Sequence, residues 1–237
     1  MKTSALTRKS LIVSALIAAT ALIAPSAQAA PTRHVTVSAQ GTVTVVPDAV
    51  RVNATASNVA ATSKAATTAT ANSAKALRAA VLALKVDARD IATQNVTVYP
   101  EYTYGADGTS TLTGYRASQS FTIVVRAAST AGDVVDAIVE AGSDKIQINA
   151  ATPFVLDTSK STSSARAAAV KNAKAKAVSY ASLLGVKLGK VTYLVENSSP
   201  QISAPIFAMA KAESDATVID LGQQDVTVSI TIRWSLA

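Results

Sequence analysis

Three features of this 237-residue chain predict an α+β fold with a largely antiparallel sheet, two long helices and one short one. Stretches of strand period come in consecutive pairs, alanine-rich stretches of helical period separate them, and the second half repeats this mixture without a sequence repeat. The order of elements reads as two interlaced subdomains, with a single α+β domain as the alternative.

The first strand is carried by Val35, Val37, Ala39, Gly41, Val43 and Val45, which alternate with Thr36, Ser38, Gln40, Thr42 and Thr44. Such alternation buries one face and leaves the other polar. Pro47 and Asp48 make a turn, and Val50, Val52, Ala54 and Ala56 alternate through a second strand. From about Ala60 the period becomes helical, with Ala66, Ala69, Ser73, Leu77, Ala80 and Leu84 as the expected buried stripe. Val96 and Val98 open a third strand that runs to a turn near Gly105 and Gly108, and its partner returns over residues 112–126.

Thr130 is placed to cap a short helix that Gly142 ends. Ile146, Ile148, Phe154 and Leu156 mark a strand interrupted around Thr152 and Pro153, and residues 161–184 form the most helical segment, stopped by Gly185. Val191, Tyr193 and Val195 make a further strand. Residues 197–224 have little periodicity and read as a long loop, which in a compact domain signals function, docking on a neighbour or flexibility. A clear strand closes the chain, with Val226, Val228, Ile230, Ile232 and Trp234 on one face.

The N-terminus has a reason other than folding. Lys2, Arg8 and Lys9 precede an uncharged stretch over residues 11–24, and Ala27 and Ala29 occupy the two positions a signal peptidase reads. An export signal over residues 1–29, cleaved after Ala29, is therefore expected; the apolar stretch is shorter than the roughly 20 residues of a spanning helix. The expected mature chain, residues 30–237, then carries +4 in place of +7 and has no membrane span. So modest a charge gives no argument for nucleic acid.

Composition removes several chemistries. The chain has no cysteine, so thiol nucleophiles, disulfides, iron–sulfur clusters and cysteine-ligated zinc are excluded. His34 is the single histidine and lies at the approach to the first strand, where the fixed geometry of a general base is not expected. Residues 185–190, GVKLGK, are one residue short of phosphate-loop spacing, lack the following Ser or Thr, and follow a helix instead of opening one; a helix cap and turn is the better reading. No cofactor or metal site is expected, and no enzyme. Aromatics are only 4% of residues while alanines number 49, so Ala, Val, Ile and Leu must build the core.

Two constellations stand out. Tyr99, Tyr102, Tyr104 and Tyr115 fall within one predicted hairpin, with Tyr102 and Tyr104 on one face, as a satellite core or as an interaction surface. The helix after Ser161 carries Arg166, Lys171, Lys174 and Lys176 without an acid, whereas the short helix carries Asp133, Asp136 and Glu140 on one face. Both faces read as solvated, or as partners that meet within or between subunits and set orientation more than affinity.

The segment VTVSAQG over residues 35–41 followed by VPDA over 46–49, the stretch from Asp90 to Pro100, GYRA over 114–117, and the alanine–lysine helix running into LGVKLGKV over 184–191 together resemble the SIMPL-domain (DUF541) family of exported bacterial proteins. The chain has Ala39 where the family commonly has a second first-strand glycine, and Leu221-Gly222 where it commonly has Pro-Gly. The resemblance implies an exported α+β protein, in some members a large ring-like or channel-like oligomer, tied to oxidative or envelope stress defence. It supplies no catalytic residues. The expectation is a non-enzymatic protein in the periplasm, on the cell envelope or outside the cell, acting as a homo-oligomer or on an envelope partner. The alternatives are an envelope scaffold or ligand-binding module without an oxidant-specific role, and a hydrolase working without Cys or His.

Overall fold

The strand and helix periods sort the chain into two antiparallel sheets, each with helices on one face. The computed structural model describes residues 33–197, 199–203 and 217–237. The expected export signal and the middle of the expected 197–224 loop lie outside the described residues. By its contacts the chain divides between Thr32 and Arg33, and the architecture below belongs to the unit Arg33–Ala237.

The inner part of the chain forms β2 (Ala49–Ala60), α1 (Ser63–Ala83), β3 (Ile91–Tyr104), β4 (Ser110–Val125), α2 (Ala131–Gly142) and β5 (Ile146–Phe154). This β-α-β-β-α-β run gives a sheet of order β3-β4-β2-β5 with every pair antiparallel, the arrangement of a ferredoxin-like split unit. The outer parts form β1 (His34–Val45), α3 (Ser159–Leu183), β6 (Leu188–Glu196), the short β7 (Gln201–Ile202) and β8 (Gln224–Leu236). Here β8 lies in the centre, pairing β1 on one side and both β6 and β7 on the other. One subdomain is thus inserted between β1 and α3 of the other, which is the interlacing expected.

Two hydrophobic clusters follow. In the first, Val50, Val52, Phe121 and Ile123 of the sheet meet Leu77 and Val81 of α1 and Val134 and Ile138 of α2. In the second, Ala165, Ala169, Ala173 and Ala177 of α3 lie on Val37, Ala39, Val228, Ile230, Ile232 and Trp234. A stripe of alanines at four-residue spacing contributes little side-chain area, so α3 is held by close approach. Gly41 makes that approach possible: a Cβ there would lie 2.1 Å from Ala165 O and 2.2 Å from Ala169 N.

Several boundaries differ from the sequence reading for identifiable reasons. β1 and β2 follow each other in sequence but belong to different sheets, because β1 finds its full-length partner in β8. Asp48 fixes the crossover, its carboxylate accepting from Leu156 N at 2.8 Å and its carbonyl from Ala128 N at 3.1 Å. β3 starts at Ile91, well before Val96, because a register shift between Thr93 and Asn95 breaks the period. β5 continues through Thr152 and Pro153, its register shift against β2 lying at Asn149 instead, and it ends at Phe154, before Leu156; it is an edge strand, where proline is tolerated.

The buried row of α1 is Ala66, Thr70, Ala74, Leu77 and Val81, not the stripe through Ala69, Ser73, Ala80 and Leu84. A buried threonine is tolerated because its hydroxyl donates to Ala117 O at 3.0 Å. Thr130 does not cap α2; its hydroxyl donates back to Ala127 O within a 3-10 turn. His34 is the first residue of β1, in register with Ser235, and not part of a loose approach. Among the described residues, no helix is long and apolar enough to cross a membrane.

Candidate functional site

The four hairpin tyrosines do not form one cluster. In the β3–β4 pair Tyr102 lies across from Leu112, Tyr104 across from Ser110, and Tyr115 across from Pro100. Alternation along β3 sets Val96, Val98, Pro100, Tyr102 and Tyr104 on one face, and Val98 is in register with Ala117, a core residue. This row therefore continues the core-side face of the sheet. The helix that covers that face, α1, lies mainly over β2 and β4, and the row stays exposed, Tyr104 at 75%. Tyr99 is in register with Arg116, whose guanidinium is paired with Glu101 on the opposite face.

Two further properties single this edge out. β3 ends its sheet, so one side of a 14-residue strand carries main-chain donors and acceptors with no strand beside them among the described residues. Natural sheets usually protect such an edge with charge, proline or brevity. Here Glu101 and Pro100 provide the protection, and the apolar row runs past both. Sequence reading found the tyrosines but missed Val96, Val98 and Leu112 as their companions, because alternation alone does not tell which strand a helix leaves uncovered.

On α3, Arg166 pairs with Glu196 of β6, with its Nε 2.8 Å from Oε2 and its Nη2 3.1 Å from Oε1. The hydrogen bonds from Arg166 hold the Glu196 carboxyl below its ordinary pKa. Lys171 and Lys174 are exposed, and Lys176 reaches Ser38 O at 3.4 Å. The acidic side of the expected pairing is engaged elsewhere: Asp136 of α2 accepts from the N–H and hydroxyl of Thr217. Within the chain Arg166 thus meets β6, and Asp136 meets the segment that leads into β8. Gly185, at φ 66°, closes α3 while Val186 N bonds Ala181 O at 3.0 Å, so the glycine–lysine stretch is a helix cap and turn.

A cleft of about 330 Å³ is lined by Leu84, Lys85, Asp87, Asp90, Arg126 and Thr130 among others. Asp90, 8% exposed, accepts Arg126 Nε at 2.6 Å and Nη2 at 2.8 Å. These hydrogen bonds outweigh its burial and lower the Asp90 pKa. A carboxylate held ionised on a guanidinium fixes charge and geometry; it is not tuned to exchange protons near neutral pH. Among the described residues no three or more His, Asp or Glu side chains gather as metal ligands.

A family model named SIMPL, described as a protein of unknown function (DUF541), matches residues 35–234. The 26 kDa periplasmic immunogenic protein of Brucella melitensis is 30% identical over 165 residues, and the match covers 64% of each chain. The uncharacterized protein YggE of Escherichia coli K12 is 29% identical over 188 residues, covering 76% of this chain and 72% of that one. YggE of Edwardsiella ictaluri is 30% identical over 145 residues, 59% of each.

Proposed function

The chain belongs to the SIMPL (DUF541) family, and we propose that it is an exported, non-catalytic envelope protein that works by assembling with further copies of itself through the β3–β4 edge. One observation carries this reading, the exposed apolar row Val96, Val98, Tyr102 and Tyr104 along a strand whose outer edge has no partner strand among the described residues. Strand pairing across that edge would satisfy the main chain and cover the aromatics at once, and tyrosine is a frequent anchor of interfaces. Location in the periplasm is carried over from the printed name of the Brucella relative.

The proposed role in stress defence is structural. The chain has no cysteine, so protection against oxidants would proceed by shielding or binding and not by a thiol of its own. Light scattering on residues 30–237 tests the assembly, with a multimer expected and a monomer counting against it. Cross-linking in intact cells separates self-assembly from the alternative of a scaffold for another envelope protein, which would yield a hetero-complex instead.

A further inference from the structure

We infer that the C-terminal tip of α3 is a docking site for an anionic lipid surface. The buried alanine row of α3 runs to Ala181; Tyr180 beside it and Leu183 and Leu184 past it face solvent, the two leucines at 80% and 65% exposure. Adjacent exposed leucines at a helix end, with Tyr180 exposed one turn earlier, form an apolar prong. Lys174 and Lys176 precede the prong, and Lys187 and Lys190 follow it, all exposed.

The charge around it is one-sided. Residues 33–47, 159–195 and 226–237, which supply β1, α3, nearly all of β6 and most of β8, contain nine Lys and Arg and no Asp or Glu. The helix terminus itself contributes about half a negative charge, and its last carbonyls are already bonded by Leu184 N, Gly185 N and Val186 N. Four lysines outweigh it.

A basic helix that also exposes leucines fits a lipid interface: the leucines enter the acyl boundary while lysine stems lie along it and keep their ammonium groups at the phosphates. This site shares no residue with the β3 edge and stands independently of assembly.

Flotation of residues 30–237 with phosphatidylcholine vesicles, with and without phosphatidylglycerol, tests it. Binding is expected only with phosphatidylglycerol and is expected to weaken with salt. Lys174→Gln combined with Lys187→Gln should weaken it about thirtyfold, from about 1 kcal/mol per surface lysine. Leu183→Ser combined with Leu184→Ser should weaken it at least about tenfold. Flotation that ignores phosphatidylglycerol, no flotation, or variants that bind as wild type would overturn the proposal. A leucine variant that changes only the mass by light scattering would also overturn it and assign the tip to a second copy. Tyr102→Ser combined with Tyr104→Ser should retain the phosphatidylglycerol dependence, so failure of the assembly reading is read separately.

Discussion

Replacing Gly41 by alanine tests whether α3 is held by close backbone approach. The added Cβ would lie 2.1 Å from Ala165 O, 2.2 Å from Ala169 N and 2.8 Å from Ala168 C, whereas ordinary contact begins near 3.4 Å. The helix must therefore retreat by about 1.3 Å, the difference between 3.4 and 2.1 Å. Radial gaps of about 0.5–1 Å already forfeit a quarter to a half of a dispersion well. Overpacking typically costs about 1–3 kcal/mol, and three backbone obstacles place this case near 3. The stiffer unfolded chain returns about 0.4–1 kcal/mol, leaving a net loss of about 2 kcal/mol and a melting temperature lower by about 4–8 °C for a domain of this size. Thermal unfolding followed by circular dichroism measures it. Because the obstructing atoms are backbone, Ala169→Gly should not rescue Gly41→Ala. An unchanged melting temperature, or rescue by that second change, would refute the reasoning.

Other substitutions probe separate parts of the fold. Lys85 ends α1 at φ 63°, a conformation that suits glycine, and Lys85→Gly should raise stability by about 0.5–1 kcal/mol in urea titrations. Asp90→Asn should cost about 1–2 kcal/mol at neutral pH. Since Arg126 lowers the Asp90 pKa in the folded state, the carboxylate's contribution is complete above its unfolded pKa of about 4 and is lost as pH falls through the lower folded value. Wild type and variant should therefore converge in stability in strong acid. Arg166→Ala breaks an exposed pair; it should leave the melting temperature unchanged while the Glu196 carboxyl pKa, read by NMR, rises to its ordinary value.

Period made most of this fold legible. Val35 through Val45 and Val226 through Trp234 alternate so regularly that β1 and β8 were plain from the sequence, yet nothing local says that they pair with each other across nearly the whole chain. Where period failed, an identifiable local feature intervened: the register shift after Thr93 hid the start of β3, and the hydroxyl of Thr70, satisfied by Ala117 O, placed a polar residue on the buried row of α1. The site was partly legible. Tyrosines and lysines could be counted, but the uncovered row on β3 depends on where α1 comes to rest. Likewise the prong at Leu183 and Leu184 emerges only because the buried row of α3 narrows to alanines at four-residue spacing.

Light scattering on residues 30–237, wild type against the double variant Tyr102→Ser and Tyr104→Ser, addresses assembly through the β3 edge most directly. A multimer is expected for the wild type and a folded monomer, or a markedly smaller species, for the variant. A monomeric wild type, or a variant with unchanged mass, would contradict it.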